Sequence, residues 1–120
     1  MIISVCKSTF RYDRISPPRN QKPGLKSNNF PSIIFTIEND DEDCLLIRSI
    51  KIEINDNTSP LIYLKKPHPI EPGDIFKRNI TIEKILYDFN NINHTDYSSL
   101  EDACIIVEDT DGNVEEIQIE

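Results

Sequence analysis

The residues with the most chemical promise close the chain. In EDTDGNVEEIQIE, Asp109, Asp111, Asn113, Glu115 and Glu120 stand at offsets 1, 3, 5, 7 and 12, the positions from which an EF-hand loop offers oxygen ligands to calcium. The glycine decides against that reading. An EF-hand turns sharply on a glycine at offset 6, but here Val114 holds that place and Gly112 stands at offset 4. Offset 8, apolar where two hands pair, is Glu116. Asp-Gly between alternating apolar residues is the strongest short hairpin signal. The stretch is therefore predicted to turn the chain between two strands, with a weak ion site at that turn as the lesser reading.

Other reactive side chains are few and far apart. His68, between Pro67 and Pro69, and His94, in a polar stretch, read as surface histidines. Cys6, Cys44 and Cys104 show no short metal-ligand spacing, and cysteine is among the most buried residue types, so Cys44 and Cys104 are predicted to sit in the core. A loop that cradles phosphate needs several glycines close together so that backbone N–H groups can approach the anion. Gly24, Gly73 and Gly112 stand far apart, which excludes a P-loop or a dinucleotide fingerprint. No catalytic residue, metal ligand or cofactor site is predicted, and the chain is not expected to be an enzyme.

Charge narrows the partners. The 120 residues carry a net charge of −8. A polyanion repels nucleic acid and anionic membranes, so neither is an expected partner. The distribution is uneven. Residues 1–29 hold Lys7, Arg11, Arg14, Arg19, Lys22 and Lys26 against Asp13 alone, whereas residues 101–120 hold many acids and no base. Heavy use of Ile, Asn, Asp, Lys and Glu suggests an AT-rich bacterial or mobile-element source. An odd number of cysteines, no secretory leader and no apolar run of membrane-spanning length predict a cytoplasmic protein with reduced thiols.

Alternation of apolar residues supplies the elements that must position these groups. A length of 120 residues with 38% hydrophobic and 28% charged residues fits one globular domain able to bury its own core. MIISVC reads as a strand, and STFRYDRI as a second extended piece. SPPRNQKPGLKSNNFP, over 16–31, reads as a proline-rich basic arm through which neither a helix nor an interior strand can run. SIIFTIEN alternates with period two, and NDDED (39–43) follows as a polar, acidic turn. CLLIRSIKIEI changes phase, Leu45 and Ile47 on odd positions and Ile50, Ile52 and Ile54 on even ones, which predicts a β-bulge near Arg48–Ser49. NDNTSP reads as a turn, LIYLKK as a strand, PHPIEPGD as a loop and IFKRNITI as a strand. Ile82, Ile85, Leu86 and Phe89 then fall on one face of a short helix capped by Thr81, and Ser98 with Glu101 suggests a further helical turn. ACIIVE, apolar on both faces, reads as a central strand, and VEEIQIE as the last one, with Ile117 and Ile119 inward. The prediction is an all-β protein: an antiparallel immunoglobulin-like sandwich of seven to eight strands with one short crossover helix at about 82–90. It forms a single domain over 1–120, the N-terminal strand and basic arm in 1–31 and the sandwich core in 32–120.

Residues 32–119 also resemble small bacterial immunoglobulin-like β-sandwich domains. FTIEN (35–39), LLIRSIKIEI (45–54), IEPGD (70–74), ITIEKI (80–85) and EDTDGN (108–113) carry the likeness. The resemblance implies a binding module and brings no catalytic residue with it.

The expected function is therefore a non-enzymatic protein-binding module or accessory subunit. The alternative is a small acidic phage or mobile-element inhibitor that occupies a basic nucleic-acid-binding groove of a host or defence protein. Either reading calls for a protein partner with a basic surface. The residues expected to meet it are Glu108, Asp109, Asp111, Glu116 and Glu120, gathered on the last hairpin.

Overall fold

Strand β3 (Leu45–Ile54) is the hub of the molecule, and its change of phase explains how it serves two neighbours. In the computed structural model, which describes residues 1–11 and 29–119, Leu45, Ile47, Ile50, Ile52 and Ile54 are all buried. Pairing with β7 (Ala103–Asp109) slips between Ile47 and Ser49, leaving Arg48 as the extra residue of a bulge. The bulge lets both halves of the strand face the same core despite their opposite parity. On its other side β3 is shared by two short strands. β4 (Asn57–Ile62) pairs with Ile50–Ile54, and β5 (His68–Ile70) pairs with Leu45–Ile47. β8 (Val114–Gln118) completes this sheet beside β7.

The second sheet has β2 (Asn29–Glu38) between β1 (Ile2–Arg11) and β6 (Ile75–Thr81), again antiparallel. Ile33, Phe35 and Ile37 of β2 are fully buried against the first sheet. Helix α1 (Ile82–Asn93) carries the chain from β6 in one sheet to β7 in the other. Thr81 caps it as predicted, its hydroxyl accepting from the Lys84 N–H at 3.3 Å, and Ile85 and Phe89 point inward. The protein is thus a two-sheet antiparallel sandwich with a single helix among the described residues.

Several local expectations need correction, each for a physical reason. β1 is one continuous strand rather than two pieces. β2 begins at Asn29 and runs through Pro31. On this stretch β2 is flanked by β1 alone, because pairing with β6 ends at Ser32, and proline is tolerated on a strand with one neighbour far better than between two. Residues 12–28, which hold the end of the predicted STFRYDRI piece and the rest of the basic arm, lie outside the described residues. The NDNTSP turn is confined to Asn55 and Asp56. Asn55 takes a left-handed φ of 55°, and β4 starts at once. The histidine of PHPI opens β5 instead of a loop. The helix outruns its predicted end at about residue 90 and stops at Asn93, because asparagine side chains take over its C-terminal hydrogen bonding. Asn93 Nδ2 donates to the Phe89 carbonyl at 3.1 Å, and His94 adopts the left-handed cap with φ 55°. No helical turn forms at Ser98–Glu101; Ala103 N–H closes a turn on the Leu100 carbonyl at 3.1 Å, past Asp102 at φ 62°. Ile117 is only half-buried, since β8 is an edge strand, whereas Ile119 is buried.

Candidate functional site

The predicted carboxylates do not act as one group. Asp109 is 5% exposed, and its oxygens are turned back on its own hairpin. Oδ1 accepts from the backbone N–H of Asp111 at 2.9 Å and of Asn113 at 2.8 Å, while Oδ2 accepts from Asn113 Nδ2 at 2.9 Å. Burial by itself raises the pKa of this carboxyl. The bonds from Asn113, Asp111 and Gly112 outweigh burial and hold it below the ordinary aspartate range. DTDGN is therefore a hairpin turn whose one buried carboxylate is consumed in shaping it. Gly112 sits at φ +87° with open space around the position of a Cβ. Gly112→Ala should therefore cost about 1–2 kcal/mol through backbone conformation alone, with no clash to relieve. A shift in denaturant midpoint at unchanged slope would show it.

Glu108 and Glu116 lie elsewhere, on the outer face of the β3–β7–β8 sheet, and they have cationic neighbours. Arg48, pushed outward by the bulge, places Nη1 3.7 Å from Glu108 Oε1 and donates from Nη2 to the Thr110 carbonyl at 3.4 Å. The register sets Lys51, Ile106 and Glu116 in one row across three strands. This face carries interleaved charge rather than a negative field. Glu120 lies outside the described residues.

Another acidic surface forms where the chain reverses. Because β3 lies between β5 and β7, the β2–β3, β5–β6 and β7–β8 turns all come to the same end of the sandwich. Asn39 holds the first two together and is fully buried. Its Nδ2 donates to the carbonyls of Asp43 and Ile70, both at 2.8 Å, and its Oδ1 accepts from the Asp41 N–H at 3.0 Å. Its backbone receives Gly73 N–H at 2.9 Å and gives its own N–H to Asp74 at 3.1 Å. With every polar atom of Asn39 satisfied, the turn is fixed with Asp41, Glu42 and Asp43 exposed in succession. Across a depression of about 470 Å³ they face Thr110, Asp111 and Asn113 of the β7–β8 turn. Asp40, also exposed, pairs with the Met1 amino group at 2.7 Å. Of the residues singled out from the sequence, Asp111 alone belongs to this pole as an exposed carboxylate. NDDED was read only as a turn, and nothing local to it announces that a second acidic turn will stand opposite.

The histidines and thiols have structural surroundings. His68 is half-buried and meets the Phe76 ring edge-on at 5.0 Å, and His94 caps the helix. Cys44 is exposed, not in the core, because it precedes β3 at the rim of the acidic depression, with its thiol 3.7 Å from the Glu71 carboxylate. Cys104 is half-buried on the outer face of β7. Local desolvation, then the Glu71 charge, pushes the Cys44 thiol up; desolvation, then Glu53 and Glu116, does the same to Cys104. Among the described residues no three His, Cys, Asp or Glu side chains are grouped to hold a metal ion, and no helix is long and apolar enough to cross a membrane.

No protein-family model matches the chain, and comparison with curated proteins and with solved structures gives no match.

Proposed function

We propose that this sandwich is a non-enzymatic, cytoplasmic protein-binding module or accessory subunit whose partner presents a basic surface to the acidic pole. The observation that carries this reading is the rigid display of Asp41, Glu42, Asp43 and Asp111 on turns whose backbones are locked by Asn39 and Asp109. Like charges crowded at one end oppose folding, so their arrangement on fixed turns is best accounted for by a ligand of opposite sign. Fixed turns also reduce the ordering cost that a loop pays on binding. The two-sheet form supports an immunoglobulin-like domain in general, a scaffold on which turns at one end commonly serve recognition. The inhibitor alternative would need carboxylates spread like phosphates along a groove. A compact pole, and a sheet face punctuated by Arg48 and Lys51, favour the general binding module instead.

The test is affinity capture with the intact chain and with a variant carrying Asp41→Asn, Asp43→Asn and Asp111→Asn. These side chains are exposed, so the fold should tolerate the change. A partner retained by the wild type and lost by the variant is the expected result. Equal retention by both proteins would remove the pole from the interface.

A further inference from the structure

Among the described residues both sheets end in edges that no further strand covers, and each such edge carries a feature that obstructs pairing. β1 and β6 bound one sheet; β8 and the β4–β5 pair bound the other. An exposed row of unpaired N–H and C=O groups is a template for another strand, and natural sheets guard against it with short edges, proline, bulges and charges directed to the core side. Lys7 of β1 pairs with Ile33, and Arg78 of β6 pairs with Phe35, so both project from the inner face of their sheet beside fully buried neighbours. Glu115 of β8 pairs with Val107, also fully buried, and shares its inner face. Yet Lys7, Arg78 and Glu115 are all exposed although each holds a core-side position. Arg78 lies over the Phe76 ring, 4.3 Å from its centre. On the remaining edge β4 carries Pro60 beside a register shift, and β5 is three residues long with Pro69 at its middle.

We infer that Lys7, Arg78 and Glu115 are gatekeepers that stop a second copy of this chain from extending either sheet. A strand added to one of these edges would continue the apolar core and strip water from the charge, a cost that outweighs its new backbone hydrogen bonds. Binding to other proteins is thereby left to turns and faces.

Sedimentation of the full chain tests this. The wild type should run as a monomer of 13.9 kDa. Lys7→Val, Arg78→Val and Glu115→Val, alone or combined, should at least double that mass with the β-sheet circular dichroism retained. Lys77→Val and Glu116→Val add the same apolar surface on neighbouring residues that face outward, and should stay monomeric. Arg78→Glu and Glu115→Lys keep a charge and should stay monomeric too. Monomeric core-side valine variants would overturn the inference, and so would equal association by the outward-facing controls.

Discussion

Phe35→Ala is expected to cost about 3–5 kcal/mol, the usual range for emptying a fully buried phenylalanine site. Phe35 has no exposed surface and sits on the central strand of its sheet, between Val5 of β1 and Arg78 of β6. Its ring projects into the space shared with the opposite sheet, where the backbone ladders on both flanks prevent the strand from collapsing into the void. A domain of this size has a total stability of about 5–15 kcal/mol, so the loss should appear as a fall in melting temperature on the order of 15 °C or more. Tyr63→Ala supplies the contrast. Tyr63 is 77% exposed, and its removal should change stability by no more than about 0.5 kcal/mol. A Phe35→Ala protein that melted within two or three degrees of the wild type would mean that β2 does not face the core.

Asp109→Ala is expected to cost about 2–4 kcal/mol. Three donors, two of them backbone N–H groups, lose an ionised acceptor in a part-buried turn, and hydrogen bonds to charged groups are worth about 1.5–3 kcal/mol each before water compensates for the exposed ones. The same residue makes stability depend on pH. Its folded pKa is lowered, so it binds its proton less readily folded than unfolded. Its contribution is complete above the pH where an unfolded-chain aspartate ionises, close to about 4, and disappears as the pH falls through the lower folded value. Asp109→Asn keeps one acceptor oxygen and the shape but removes the charge, so it should cost less than alanine. It should also flatten the stability profile below about pH 4. Unfolding curves of wild type and Asp109→Asn that stayed parallel throughout the acid range would show that the carboxylate is not ionised by its turn.

How much of this was legible in the sequence depended on how local the cause was. The bulge at Arg48 could be read because a change of parity within one strand admits few other solutions. The Thr81 cap and the Asp-Gly hairpin could be read because their hydrogen bonds close within a few residues. β5 could not. Its three residues are extended because Leu45–Ile47 offers them a ladder from more than twenty positions away, and proline on both sides concealed the pairing. Pro31 misled for the opposite reason: proline bars an interior strand, and at that position β6 has ended and only β1 flanks the chain.

The candidate site shows the same division. Asp109 looked like one surface acid among several, and only the folded turn reveals that its oxygens are already taken. The acids of 41–43 were visible as a polar turn, but their meeting with Asp111 follows from strand order, which no window of sequence contains. Asn39, which fixes two of the three turns, looked like an ordinary turn residue. The signal that could have marked it is its position at the end of a strongly alternating strand, on the parity of Ile33, Phe35 and Ile37, where a polar residue is expected to be buried and fully bonded.

The central claim is that the acidic pole recruits a basic protein partner, and association kinetics across a salt series test it most directly. Charge at an interface mainly accelerates encounter, and salt screens it over a Debye length of about 8 Å at physiological ionic strength. With the partner obtained by capture, the wild-type association rate should fall steeply as salt rises. The Asp41→Asn, Asp43→Asn, Asp111→Asn variant should associate more slowly at low salt and show a much flatter slope, with dissociation less affected. Identical rates and slopes for the two proteins across the series would contradict the claim.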